Sequence, residues 1–384
     1  MKILFSEKIS CYASDTAGVC SALFELGGMT VVHDASGCNS TYATHDEPRW
    51  FCSDSMTYIS AVTENDLVCG NDRKLVDDVV RSARELKPRF IALCNSPIPM
   101  MVGTDMEAIA CEIENECLIP CFAVKTSGMH HYWEGAAAAW KLLAERFLPE
   151  KKSCIIPRSV NILGATPLDF SLNGNVEAIW SFLEKHGFTV LSSWAMNSTL
   201  DDLQKSCNAE LNLVISNSGL LLAEYMFEKY QIPFVCGVPI GVKGSMSLVE
   251  ALEKSAAARV CSYWSGERSG GKECVIVGDT IFAGSIARAL MLERNIPCRV
   301  IDPLAGNALL RAPEDAAAEL EKDFQQYFEA ADLIVADNMY EVLVPAGKRM
   351  IKLPHEAFSG RCYHKARLNL IDKEINWESY ICRK

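Results

Sequence analysis

The chain has 384 residues, 49% hydrophobic and 22% charged, the make-up of an ordinary soluble globular protein of two or three domains. Lys and Arg number 37 against 49 Asp and Glu; the net charge of -12 is the wrong sign for gripping a phosphate backbone, which argues against nucleic acid as a partner. The opening MKILFSEKISCYASD has only a short apolar run before charge resumes, and no window approaches the 18 or more apolar residues of a membrane span, so a cytoplasmic protein without a signal or membrane anchor is expected.

Strand-like apolar runs alternate with helix-length segments along the whole chain, the grammar of parallel sheets covered by helices. The first round reads VVHDASGCNSTY as a strand entering a tight turn, then DRKLVDDVVRSARELKP as a helix and RFIALCNS as a strand. GTDMEAIACEIENE follows as a helix and IPCFAVKT as a strand. The charged, proline-bearing LPEKKSCIIPRS marks a boundary near residue 150.

The second round runs VNILGA strand, NVEAIWSFLEKHG helix closed by Gly187, FTVLSS strand, LNLVISN strand, LLLAEYMFEKY helix and IPFVCG strand. A third starts after SGERSGGK, with ECVIVGD strand, IFAGSIARALMLERN helix, IPCRVID strand, a long PEDAAAELEKDFQQYFEA helix and ADLIVAD strand. The fold class expected is therefore α/β, three Rossmann-like parallel-sheet domains around a central cleft, with domains at 1–150, 151–265 and 266–384. Gly266 to Glu273 nearly spells a phosphate loop, but Glu273 stands where a Ser or Thr is required, and the segment precedes a strand instead of opening a helix. It reads as a linker, and no complete dinucleotide fingerprint occurs elsewhere.

Seventeen cysteines in a reducing compartment read as buried thiols plus a metal or iron-sulfur site, not as a disulfide framework. Cys11, Cys38 and Cys94 lie in loops or at strand ends beside small or helix-breaking residues. Cys38 and Cys94 both follow strands, so a parallel sheet brings them to one edge, where ligand crevices open. Gly37 permits close backbone approach there, and Pro97 and Pro99 stiffen the turn after Cys94. Cys20, Cys111, Cys274 and Cys298 fall within helical or strand patterns and read as core.

Taken in order, Cys11, the GVCSALFELGGMTVVHDASGC turn, ENDLVCGNDRKL and IALCNSPIPMMVGTDMEAI resemble the catalytic component of nitrogenase and its relatives. His33 to Cys38 matches that family's His-x-x-x-Gly-Cys turn, Asp66 to Leu75 its acidic segment, and Cys94 with Gly103 and Asp105 its strand-ending cysteine motif. LNLVISNSGLLLAEYMFEKYQIPF and KECVIVGDTIFAGSIARAL are similar to the family's second and third domains. The resemblance implies that Cys11, Cys38 and Cys94 hold an iron-sulfur cluster, a 4Fe-4S or larger P-cluster-like group, at an interface with an identical or similar chain. Cys20 competes with Cys11 for the first position.

The resemblance also implies electrons from an ATP-dependent iron-sulfur reductase, since this chain carries no nucleotide loop of its own. In nitrogenase proper a cysteine after the second domain's strand and a histidine near the C-terminus anchor the molybdenum cofactor. Here Ser216 and Asn217 occupy the first place and His355 the second, so no molybdenum cofactor is expected. The expected substrate is small or tetrapyrrole-type, and His355 is the expected proton donor or ligand. A scaffold for metallocluster assembly is the alternative reading, and a plain binding protein of Rossmann lobes is a third.

Overall fold

The computed structural model describes residues 11–35 and 47–375. Three separate sheets, all of their paired strands parallel, follow one another along the chain. The first contains β1 (Met29–His33), β2 (Met56–Ile59), β3 (Ile91–Asn95) and β4 (Cys121–Val124) in the order β2-β1-β3-β4. The second contains β5 (Ile156–Leu163), β6 (Thr189–Ser192), β7 (Ala209–Val214) and β8 (Phe234–Cys236) in the order β6-β5-β7-β8. The third contains β9 (Cys274–Val277), β10 (Cys298–Asp302), β11 (Ala316–Ala317), β12 (Leu333–Ala336) and β13 (Arg349–Lys352) in the order β11-β10-β9-β12-β13. This is the α/β architecture of three Rossmann-like domains that the alternating pattern predicts.

The helices form where apolar residues recur with helical spacing and stop where the backbone turns left-handed. In Asp72–Leu86 the buried face is Leu75, Val76, Val79, Val80 and Ala83, and the helix closes on Lys87 at φ +51° before Pro88. Asp15–Leu23 and Tyr132–Phe147 pack so tightly that only glycine fits at their crossing. A Cβ on Gly18 would lie 1.8 Å from the Tyr132 carbonyl oxygen, and one on Gly135 1.9 Å from that of Asp15. This contact seats Tyr132 beside the second domain.

Two expectations need correction. The helix expected over 313–330 begins only at Glu321, and Ala316–Ala317 pair with β10 as an edge strand. Asp315 explains the difference: its buried carboxylate takes two hydrogen bonds from Arg268 Nη2, at 2.9 and 2.6 Å, and one each from the Val300 and Ala312 amides. That pinning holds the segment against the sheet and overrides its helix propensity. Cys20, Cys274 and Cys298 are buried as expected, but Cys111 is exposed on the outer face of Met106–Cys117. The Gly266 to Glu273 segment leads into β9 with no helix opening from it, in keeping with its reading as something other than a phosphate loop.

Candidate active site

The carboxyl ends of strands in the second and third sheets face one another, the placement at which open parallel sheets hold ligands. Asp169 follows β5, Ser216 follows β7, Asp279 follows β9, Asp337 follows β12 and His355 follows β13, and all five line one cavity. Phe170, Phe282, Tyr340, Phe358, Leu353 and Leu368 supply its apolar wall. Its volume is about 30 Å³, room for a water.

Three domains meet at Asp169. The Tyr132 hydroxyl, from the first domain, donates to Asp169 Oδ1, and Thr166 and Ser218 donate to Oδ2 at 2.8 and 3.3 Å. His355 Nε2, from the third domain, stands 3.6 Å from the same Oδ1. The His355 ring is fixed from its other side: the Ala357 amide donates to Nδ1 at 3.2 Å, so the neutral ring carries its proton on Nε2. Asp337 Oδ2 accepts the His355 amide at 2.7 Å and the Ser359 hydroxyl at 2.8 Å, which sets the loop. Burial alone would raise the Asp169 carboxyl, but hydrogen bonding and charge from His355, with the Tyr132 and Thr166 hydroxyls, hold it below the usual range. Burial, and then the neighbouring Asp169 charge, push Asp279 the other way, up to about 7.

Ser216, expected with Asn217 to stand in place of an anchoring cysteine, follows β7 at the cleft. Its hydroxyl is committed to the Gly164 carbonyl at 2.8 Å, and Gly164 at φ +97° leaves space for no side chain beside it. The three-residue turn after Ser216 is held to the third domain by Asp279 and Thr280.

The sequence-predicted cysteines have different neighbours. Cys11 lies beside the cleft, its thiol donating to the Ala357 carbonyl at 3.0 Å, with the Asp169 and Asp337 charges nearby. Cys94 lies in β3 opposite Val32 and Val124, fully buried, with Cys20 and Asp15 as its closest charged or ionisable influences. Burial pushes both thiols well above their ordinary range, which holds them protonated. Gly37 and Cys38 lie outside the described residues. Gly103 ends the short helix Pro97–Val102 at φ +81°. Among the described residues no group of three His, Cys, Asp or Glu side chains is placed to hold a metal.

Tyr132, Asp169, Asp279, Asp337 and Arg367 were not singled out from the sequence. One signal was legible for part of the set: ECVIVGD, CRVID and ADLIVAD each end a strand on aspartate. Those aspartates, Asp279, Asp302 and Asp337, accept main-chain amides of the turns that follow them.

A concave, largely apolar cleft between parallel-sheet domains, walled by aromatic rings and crossed by a Tyr–Asp–His chain, has the make-up of a small-molecule site in an α/β protein. Residues 14–272 match the family described as nitrogenase component 1 type oxidoreductase, and the chain belongs to that family. It is 26% identical over 230 residues to a nitrogenase iron-molybdenum cofactor biosynthesis protein NifE of Clostridium pasteurianum, covering 56% of this chain and 48% of that one. It is also 26% identical over 245 residues to the nitrogenase molybdenum-iron protein alpha chain of Azospirillum brasilense, covering 59% and 49%. The aligned region spans about half the length of these curated relatives. A solved structure titled Nitrogenase Cp1 at pH 5 shares the fold, with a TM-score of 0.67 over 94% of this chain and 86% of that chain at 17% identity.

Proposed function

We propose that this chain is the substrate-reducing component of a two-component oxidoreductase, with the cleft at His355 as its substrate site. The observation that carries this is the chain Tyr132–Asp169–His355, in which three domains contribute to one proton-bearing group at the cavity wall. In its imidazolium form His355 gives a proton to the substrate as electrons arrive and returns to the neutral ring, and Asp169, 3.6 Å from Nε2, stabilises the imidazolium before transfer. The aromatic wall keeps bulk solvent away, which strengthens that electrostatic pairing.

Family membership supports an electron supply from an ATP-dependent iron-sulfur reductase and assembly with an identical or similar chain in the cytoplasm. No helix among the described residues is long and apolar enough to cross a membrane. Ligation of an interface iron-sulfur cluster by Cys11, Cys38 and Cys94 belongs to the same proposal. Among the described residues alone no three His, Cys, Asp or Glu side chains are placed to hold a metal. At about 30 Å³ the cleft has room for a water, so a small substrate requires its walls to part and a tetrapyrrole requires them to part further. Similarity to NifE favours a second reading, a scaffold on which a metallocluster is assembled.

Turnover decides between them. The protein, reconstituted anaerobically with a matched reductase and ATP, is expected to reduce an unsaturated substrate catalytically. Release of a metallocluster to an acceptor protein, with no catalytic reduction, would establish the scaffold instead.

A further inference from the structure

The cavity's hydrogen-bonding valences are unevenly filled. Every oxygen of its three carboxylates already accepts a donor from within the protein. Asp169 takes Tyr132, Thr166 and Ser218; Asp279 takes the Ile281, Phe282 and Asn217 amides; Asp337 takes Met339, His355 and Ser359. Two other groups that line the same cavity have no partner among the described residues: Arg367 Nη1 and Tyr340 Oη, both buried. An arginine nitrogen can only donate, and a phenol donates readily. Buried donors left unmet cost free energy, so a cavity that keeps two of them is shaped for a guest that brings acceptors.

Burial disfavours the charged Arg367 guanidinium, and the nearby Glu356, Asp169 and Asp337 carboxylates offset part of that cost. Glu356 Oε1 accepts from His364 at 2.5 Å and from the Ser171 hydroxyl at 2.7 Å, while its Oε2 is buried without a partner among the described residues, and Asp169 faces His355. Arg367 itself has no carboxylate within ion-pairing distance among the described residues. A planar guanidinium in that state matches a carboxylate, which offers two oxygens and a full charge. The ring edges of Phe170, Phe282 and Phe358 suit an apolar body attached to it.

We propose that the cleft takes a small organic carboxylate, its oxygens held by Arg367 Nη1 and Tyr340 Oη and its apolar part against the phenylalanines. This rests on the reading of the cleft as the substrate site and names the class of substrate. At about 30 Å³ the cavity is closed around a water, so the guest enters as the 353–368 segment and the start of the 280–294 helix separate.

Calorimetric titration of the purified chain with acetate and with benzoate, against neutral benzamide, tests it. Saturable binding of at least one carboxylate is expected, with none from benzamide. Arg367→Gln should weaken it by about tenfold or more, and Arg367→Lys by less, because one charge-assisted bond is at stake. Tyr340→Phe keeps the ring and should also weaken it; if Arg367→Gln fails to fold, this variant decides the matter. Absence of saturable binding by the parent, which leaves the two donors to water alone, or unchanged affinity in the folded variants, overturns the proposal. The titration uses no reductase and no electrons, so carboxylate binding without turnover removes the reductase reading and leaves this one, while turnover without carboxylate binding does the reverse.

Discussion

Asp279 Oδ2 accepts the Asn217 main-chain amide at 2.8 Å, while Oδ1 of the same carboxylate caps the 280–294 helix through the Ile281 and Phe282 amides. One side chain thus fastens the turn after β7 to the first turn of a helix in the next domain. Asn217 reciprocates, its side-chain amide donating to the Thr280 hydroxyl at 3.0 Å. The cleft wall keeps its shape because this clamp spans the second and third domains.

Asp279→Ala should therefore lower the unfolding midpoint, since it removes a helix cap of about 1 kcal/mol together with an interdomain hydrogen bond. The pH dependence is specific. Burial and the Asp169 charge raise the folded carboxyl to about 7, so between its unfolded value and pH 7 the folded state binds more protons than the unfolded one. Stability from this group falls as pH rises from about 4 to about 7, by at most about 1.4 kcal/mol per pH unit. Thermal unfolding of the parent and of Asp279→Asn across that range measures it, and the asparagine variant should lose this slope.

Replacing His355 with alanine should cost about 10² to 10⁴ in reductase-driven turnover, the usual contribution of a positioned acid. Asp169→Asn should also lower turnover, because it removes the carboxylate that faces His355 Nε2 at 3.6 Å. Turnover of His355→Ala within about threefold of the parent would show that the proton comes from elsewhere.

Single Cys11→Ala, Cys38→Ala and Cys94→Ala variants, assayed anaerobically for iron and sulfide, should each lose cluster content. Cys20→Ala is the informative companion, because Cys20 is the cysteine whose charge reaches Cys94. Loss in Cys20→Ala with retention in Cys11→Ala would reassign the first ligand. Full cluster content in Cys38→Ala would remove the ligation scheme.

Gly18→Ala should be unusually damaging for so small a change. Its methyl group would lie 1.8 Å from the Tyr132 carbonyl oxygen, so the two helices must separate at a cost of about 1–3 kcal/mol or more. Because that contact seats Tyr132 on Asp169, chemical denaturation should show lost stability and turnover should fall with it. Gly135→Ala, 1.9 Å from the Asp15 carbonyl oxygen, should behave alike.

Much of the order of strands and helices was legible because each is a local pattern: the apolar run 91–94 pairs in a sheet, and Leu75, Val76, Val79, Val80 and Ala83 define a helix face without help from elsewhere. The edge strands Met56–Ile59 and Arg349–Lys352 and the helices Asp15–Leu23, Tyr132–Phe147 and Val242–Ala258 were not singled out. His355 was legible as one residue within a motif, and Cys94 as a residue near a strand end. The relation between distant residues was not. Nothing local in PEDAAAELEKDF reveals that Arg268 will hold Asp315 in the core and delay the helix to Glu321, and nothing near His355 announces Tyr132 and Asp169 as its support. Hydrophobic periodicity is set by neighbours along the chain and survives in the sequence. The cleft is set by which strand ends face each other once three sheets have packed, and an aspartate in a short connection looks the same in sequence whether it closes a surface turn or, like Asp169 in the helix Pro167–Phe170 after β5, carries the charge at the centre of a site.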